Sequence, residues 1–311
     1  MNRLILKSFL FSSIFILIFG SVFYLDPFHK FHQDTTPDSK SLDAISLSVN
    51  APLFKLVQYS KNPISRIILG DSRMNSIDTE YILKLTGQTF YNFSYDGATF
   101  EEMCSSFWIA TKLTKIESVC FGFDLNHFNI SNSRNRIPGA YRTANNFFLY
   151  ISNRDVLKVC YYKLFHDKQT NQNVANHQSL DQDQFWDYSL DVITRRYFLN
   201  YKFGDKKIVE LKRISDYCQA NDIDLFFIIP FSHEDLQEEI KKYVNTKLIN
   251  SFPTILSKYG RVYNFNFPNS ICRNKSNFRD PYHVNKEVTT LMCDEVWGKQ
   301  KKFVTIFRHQ K

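Results

Sequence analysis

The sequence predicts an α/β protein: a parallel sheet covered by helices on both faces, behind an N-terminal apolar helix. Three observations predict it. The runs at 65–70 (SRIILG), 118–124 (SVCFGFD) and 224–231 (DLFFIIPF) are short and almost uniformly apolar, as strands buried on both faces are. Stretches with apolar residues at helical spacing separate them. An uncharged apolar segment precedes everything else.

That segment is Phe9 to Leu25, FLFSSIFILIFGSVFYL, 17 residues with Arg3 and Lys7 before it. It sits at the low end of the length for a spanning helix, and Leu4 to Leu6 can extend it. No A-x-A cleavage pattern and no lipobox cysteine follow, so the expectation is an uncleaved signal anchor, a transmembrane helix over 1–25. Positive charges on its N-terminal side put that end in the cytoplasm and the remaining chain outside. Residues 26–60 read as a juxtamembrane stalk.

The alternation begins at 61. Strand 65–70 is followed by a helix over 77–85, with Ser76 as N-cap and Gly87 just beyond its end. A second strand is expected at 89–95. Phe100, Met103, Cys104, Phe107, Trp108 and Thr111 mark an amphipathic helix over 99–114, and strand 118–124 follows. Residues 127–203 are polar, aromatic and irregular, and are expected to form an insertion or lid. The pattern resumes with a helix at 205–220, strand 224–231, helices within 234–259, strand 262–267 and a last helix carrying Val284, Val288, Leu291 and Met292. Residues 299–311 read as a basic tail. In such a sheet the site lies at the C-terminal strand ends.

Hydrophobic residues make up 43% of the 311 and charged residues 23%, as in an ordinary globular protein, while 30 Phe and 17 Tyr suggest aromatic cores and clefts. The net charge of +8 comes mainly from the tail and from 131–170. It reads either as a solvated basic surface or as attraction to anionic lipid head groups or an acidic polymer; nucleic acid does not fit an extracytoplasmic domain. Six cysteines contain no C-x-x-C, so neither a zinc site nor a thioredoxin motif is suggested, and six admit 15 pairings if disulfides form. Cys104 and Cys120 fall on apolar faces. Nothing in the pattern calls for a metal or another cofactor.

Gly70-Asp71-Ser72-Arg73 follows the first strand and opens the first helix. A serine there has its N–H at a helix start, where an oxyanion can be stabilised; the plain structural reading makes Ser72 a helix N-cap. A nucleophilic serine needs a base, and the base needs orienting. Asp280-Pro281-Tyr282-His283 offers both, between the last strand and the last helix. The spacing D-x-x-H occurs twice more. Asp26 to His29 follows the apolar segment and reads as a surface-anchoring turn. Asp124 to His127 ends the third strand, so His127 competes with His283 for the role of base. Arg73 is expected to pair with Asp71, Asp78 or an anionic substrate, and His233, after the fourth strand, to hold a structural place at the site edge.

Gly70-Asp71-Ser72, Gly97 in Tyr95-Asp96-Gly97-Ala98, Gly122-Phe123-Asp124-Leu125-Asn126 and Asp280-Pro281-Tyr282-His283 together resemble the ordered blocks of the SGNH (GDSL-like) hydrolase superfamily. The resemblance implies a flavodoxin-like fold, Ser72 as nucleophile, Asp280 and His283 as its relay, and an oxyanion hole from Ser72, Gly97 and Asn126. The anchor with Asp26-Pro27, and Phe121 to Asp124, are similar to the subset that accompanies membrane-bound O-acyltransferases in modifying cell-surface polysaccharides, of the alginate-acetylation and teichoic-acid-alanylation type. That subset implies a single-pass protein of a bacterial inner membrane, with a periplasmic domain, a polysaccharide or glycolipid substrate, and O-acetyl or O-acyl transfer or ester hydrolysis. One position departs from the pattern: Asp124 stands where the third block has asparagine. An ionised carboxylate there would repel an oxyanion. The departure leaves three outcomes: Asn126 as donor, a protonated Asp124, or a hole made of backbone alone. It also keeps open a non-catalytic binding or assembly subunit.

Overall fold

The computed structural model describes residues 2–32, 39–165, 181–299 and 301–308. The chain divides into two compact units, Met1–Asn62 with Arg136–His177, and Pro63–Asn135 with Gln178–Lys311. Residues 166–180 of the expected insertion lie outside the described residues.

The first unit is helical: α1 (Asn2–Leu25), α2 (Ser39–Lys61), α6 (Ile137–Asn145), α7 (Phe147–Ile151) and α8 (Arg154–Phe165). The expected stalk is thus largely one helix, broken at Asn50 two residues before Pro52, which cannot donate its share of the ladder. α6 and α8 pack on α2, so half of the expected insertion belongs to this unit. The turn Asp26 to His29 is not a surface feature either. Both residues are buried, and the Asp26 carboxylate accepts from the N–H groups of Lys30, Phe31 and His32 at 2.6–2.7 Å. His29 turns away to Asp43, 2.5 Å distant. Among the described residues no helix is long and apolar enough to cross a membrane.

The second unit holds β1 (Arg66–Leu69), α3 (Ser72–Asn75), α4 (Thr79–Thr86), β2 (Tyr91–Asn92), α5 (Phe100–Leu113), β3 (Ser118–Gly122), α9 (Gln182–Tyr197), α10 (Asp205–Ala220), β4 (Asp224–Ile229), α11 (Glu234–Ile240), α12 (Thr246–Ser257), β5 (Arg261–Asn264), β6 (Phe278–Asp280), β7 (His283–Val284), α13 (Lys286–Trp297) and β8 (Thr305–Phe307). The main sheet runs β2-β1-β3-β4-β5-β8. Its first five strands are parallel, in the flavodoxin-like order. Only β8 is antiparallel; it lies inside the stretch expected to be a basic tail.

Sheet alternation explains the unbroken apolar runs. Ile68, Cys120, Phe226 and Ile228 face a core completed by Ile82 of α4 and Val288, Met292 and Cys293 of α13. Their neighbours face the other way, where Phe121, Phe123 and Phe227 lie 5.1–6.3 Å apart and Phe107 of α5 reaches Phe121. Both faces are covered, so the middles of β1, β3 and β4 are apolar on either side. All six cysteines are buried and free.

The first helix after β1 is shorter and earlier than expected. Asp71 caps α3 and accepts from Arg73 N–H; Asp78, not Ser76, caps α4. Gly87 closes α4 in the left-handed region, φ 71. Gly70 and Gly122 end β1 and β3, and a Cβ on either would overlap the Cγ of Met74. The two glycines let α3 settle directly on the strand ends.

Candidate active site

Ser72 is the first residue of α3, immediately beyond the cap. It is not the N-cap, so its hydroxyl is free of that task. Two hundred residues later, β6 and β7 form a tight hairpin in which Asp280 pairs with His283. Asp280 Oδ1 accepts from the N–H groups of Tyr282 at 2.8 Å and His283 at 3.0 Å. This self-closing turn swings the His283 ring over the other carboxylate oxygen: Nδ1 lies 2.7 Å from Oδ2. The far nitrogen, Nε2, lies 2.7 Å from Ser72 Oγ.

Burial raises the Asp280 pKa, but the bond to His283 and the two backbone N–H groups outweigh it and hold the carboxyl below its usual range. An ionised carboxylate only accepts. It therefore fixes the proton on Nδ1 and leaves Nε2 as acceptor for the serine hydroxyl. The three residues border an open cleft of ≈ 620 Å³ with Asn75, Ser76, Asp96, Phe185 and Arg279. A larger hollow of ≈ 730 Å³, bordered by Asp224 and Arg261, lies where β4 and β5 begin and contains none of the expected site residues.

Beneath Ser72 lies a second, buried set. Arg73 is held by Asp71 (Nη2 to Oδ2, 2.9 Å) and Asp124 (Nη1 to Oδ2, 2.8 Å), with its guanidinium 3.8 Å from the Tyr282 ring centre. The Tyr282 hydroxyl donates to Asp71 Oδ2 at 2.8 Å and accepts from Asn126 Nδ2 at 3.0 Å. Burial would raise the Asp71 pKa; Arg73, together with the Tyr282 hydrogen bond, holds it far below the carboxylate range. Burying these charges is tolerable because each has partners of opposite sign or hydrogen-bond donors.

This network corrects three expectations. Arg73 is buried and fully engaged, so it does not meet substrate, and Asp78 is not its partner. Asn126 is buried, with its amide committed to Tyr282; it is not a donor at the cleft. Asp124 neither faces the cleft nor stands unpaired: Arg73 and Leu125 N–H, at 2.6 Å, take its oxygens. The oxyanion donors left from the expected set are the backbone N–H groups of Ser72 and of Gly97. Gly97 follows the cleft residue Asp96 and has φ 66, a conformation that favours glycine.

His127 is wholly buried. Its Nδ1 accepts from Asp124 N–H at 3.0 Å, and its Nε2 is 3.5 Å from Asp71 Oδ2, within ion-pair distance but without hydrogen-bond geometry. Burial lowers its pKa from 6.5 to about 4, against the pull of Asp71. A ring neutral and walled off from the cleft is no competitor for His283. His233 is also structural. It caps α11 through Nδ1 to Asp235 N–H, donates its own N–H to Pro281 O at 2.9 Å, and meets Trp186 and Phe278 edge-on. It braces the hairpin that bears His283.

Two contributors were missed. Tyr282 was read only as spacing inside D-x-x-H. Lys207, on α10, donates to the carbonyl oxygens of His127, Asn129 and Asn132 at 2.8–2.9 Å and pins the loop after β3. A lysine on an amphipathic helix gives no local sign of such a task.

No protein-family model matches the chain, and no curated relative does. Among solved structures, the chain is similar to a "putative lipolytic protein of G-D-S-L family" from Desulfitobacterium hafniense DCB-2. The identity is 11%, over 75% of this chain and 98% of that one, with a TM-score of 0.40. Likeness at that level says nothing about activity.

Proposed function

We propose that the protein is a serine-dependent enzyme of ester chemistry, an O-acyl transferase or esterase. The single observation that carries this is the relay from Asp280 through His283 to Ser72, closed at 2.7 Å on both sides of the ring and open to a cleft. Ser72 Oγ attacks the acyl carbonyl carbon while His283 Nε2 takes the hydroxyl proton. The carbonyl oxygen gathers negative charge opposite the Ser72 and Gly97 N–H groups. Collapse returns the proton from His283 to the leaving hydroxyl and leaves an ester on Ser72. An incoming hydroxyl, of sugar or of water, reverses these steps. Asp280 stabilises the imidazolium in both halves.

The substrate proposed is an O-acyl group on an envelope polysaccharide or glycolipid, with a membrane-bound O-acyltransferase as partner. The support is the block resemblance, together with Arg3 and Lys7 ahead of the apolar run, which favour α1 in a bacterial inner membrane and the rest of the chain outside. A non-catalytic assembly subunit is the second reading. It is favoured by one observation: the Asn126 amide, implied as an oxyanion donor, is spent on Tyr282.

The test is release of p-nitrophenol from p-nitrophenyl acetate by wild type and Ser72→Ala, with mass analysis of a fluorophosphonate adduct. Turnover and a single adduct at Ser72, both lost in the variant, support the enzyme. Equal release by both proteins and no adduct would transfer the case to the assembly subunit.

A further inference from the structure

α1 ends among aromatic rings. Phe23 in its last turn lies 5.2 Å from Phe31, Phe31 lies 5.8 Å from Phe147, and Phe147 lies 5.5 Å from Phe148. α7 opens with Phe147, Phe148 and Leu149, all exposed, Phe148 to 75%. α8 packs against α1 and buries Val156, Val159 and Cys160. Its outward face is nevertheless apolar: Tyr161, Leu164 and Phe165 are exposed, with the Tyr161 and Phe165 rings 5.2 Å apart. An ordinary surface helix has one apolar stripe; α8 has two.

Among the described residues of α6 to α8, the exposed charges beside this face are basic. Arg142, Arg154 and Lys158 are exposed, and Asp155, the acid within 136–165, accepts from Asn50 at 2.7 Å. Aromatic rings with cations beside them are what a bilayer boundary with anionic head groups favours. A second copy would bring like charges together.

We propose that Phe147, Phe148, Leu149, Tyr161, Leu164 and Phe165 form a second membrane contact, seated at the head-group boundary of a bilayer carrying anionic lipid, where α1 emerges. The inference rests on reading α1 as membrane-inserted, and the experiment separates the two. The full chain, bearing a nitroxide at Phe148→Cys, Leu17→Cys or Ala220→Cys, is placed in vesicles of phosphatidylcholine and phosphatidylglycerol. The native cysteines are buried, so the added thiol takes the label. Access to oxygen and to a water-soluble nickel chelate is then measured. Leu17 and Phe148 should be reached by oxygen and shielded from nickel, with Ala220 the reverse. In vesicles of phosphatidylcholine alone, shielding should weaken at Phe148 and persist at Leu17. Nickel access at Phe148 with Leu17 shielded overturns the second contact and leaves the anchor standing. Nickel access at Leu17 overturns the anchor. Shielding of Phe148 from both reagents means a protein partner and also overturns the proposal, as does shielding indifferent to phosphatidylglycerol.

Discussion

Two turns at one sheet edge share the spacing D-x-x-H and are built in opposite senses. In Asp280 to His283 the carboxylate binds its own histidine, and the ring faces the cleft and Ser72. In Asp124 to His127 the carboxylate is drawn away by Arg73. Its histidine folds back onto the Asp124 N–H and is sealed from water. The difference comes from a third party. A buried guanidinium claims one carboxylate, while the other has only its own turn to bind. One turn is arranged for proton transfer, the other for holding two segments together.

The comparison breaks most visibly in turnover. With p-nitrophenyl acetate, His283→Ala should lower kcat on the order of 10⁴- to 10⁶-fold. His127→Gln should leave kcat within about tenfold while lowering stability. A silent His127→Gln with an active His283→Ala would exchange the roles assigned to the two turns.

Stability gives the next effect. Arg73→Met leaves Asp71 and Asp124 buried without their cation. Denaturant unfolding should show a loss of about 3–5 kcal/mol. A loss under about 1 kcal/mol would mean that the buried set does not hold the segments.

Acid should act on the buried turn first. Folding lowers the His127 pKa from 6.5 to about 4, so between those values the unfolded chain binds a proton that the folded chain does not. Stability is whole above about 6.5 and falls as pH drops towards 4, by roughly 3 kcal/mol in all. The depressed carboxyls, Asp71 and Asp280, extend the loss below the ordinary carboxylate range. His127→Gln should flatten the first part of the slope, read from urea midpoints at a series of pH values. An unchanged slope would move the titration to another group.

The smallest effect sharpens the link between the turns. Tyr282→Phe removes the hydroxyl that joins Asp71 to Asn126. It should cost about 1.5–3 kcal/mol and lower kcat more than it raises KM, since the hydroxyl does not touch the cleft. A pure KM effect would place Tyr282 at the substrate instead.

Much of this was legible because it is local. Strands buried on both faces announce themselves as apolar runs, and D-x-x-H closes on itself within four residues. Asp71, Arg73 and Asp124 were visible as polar residues near the site, but sequence could not tell inward from cleftward. Their direction depends on segments more than 200 positions apart. Asn126 shows the cost: its block position implied a cleft donor, and a tyrosine hydroxyl from the far end of the domain claimed it. The helical first unit was hardest to read. α2 and α8 are paired through packing between 39–61 and 154–165, and no local pattern signals which partner a half-apolar helix will take. The strand Thr305–Phe307 was hidden among the lysines around it.

Met74, wedged against the ends of β1 and β3, ties three positions into one unit of inheritance. Alanine at 70 or 122 is excluded while methionine fills the space, and a smaller residue at 74 opens a hole while both glycines remain. Single changes should each be damaging, whereas Met74→Ala combined with Gly122→Ala should cost less than their sum. The residue pair at the strand ends can then drift only in step with the helix that carries the nucleophile.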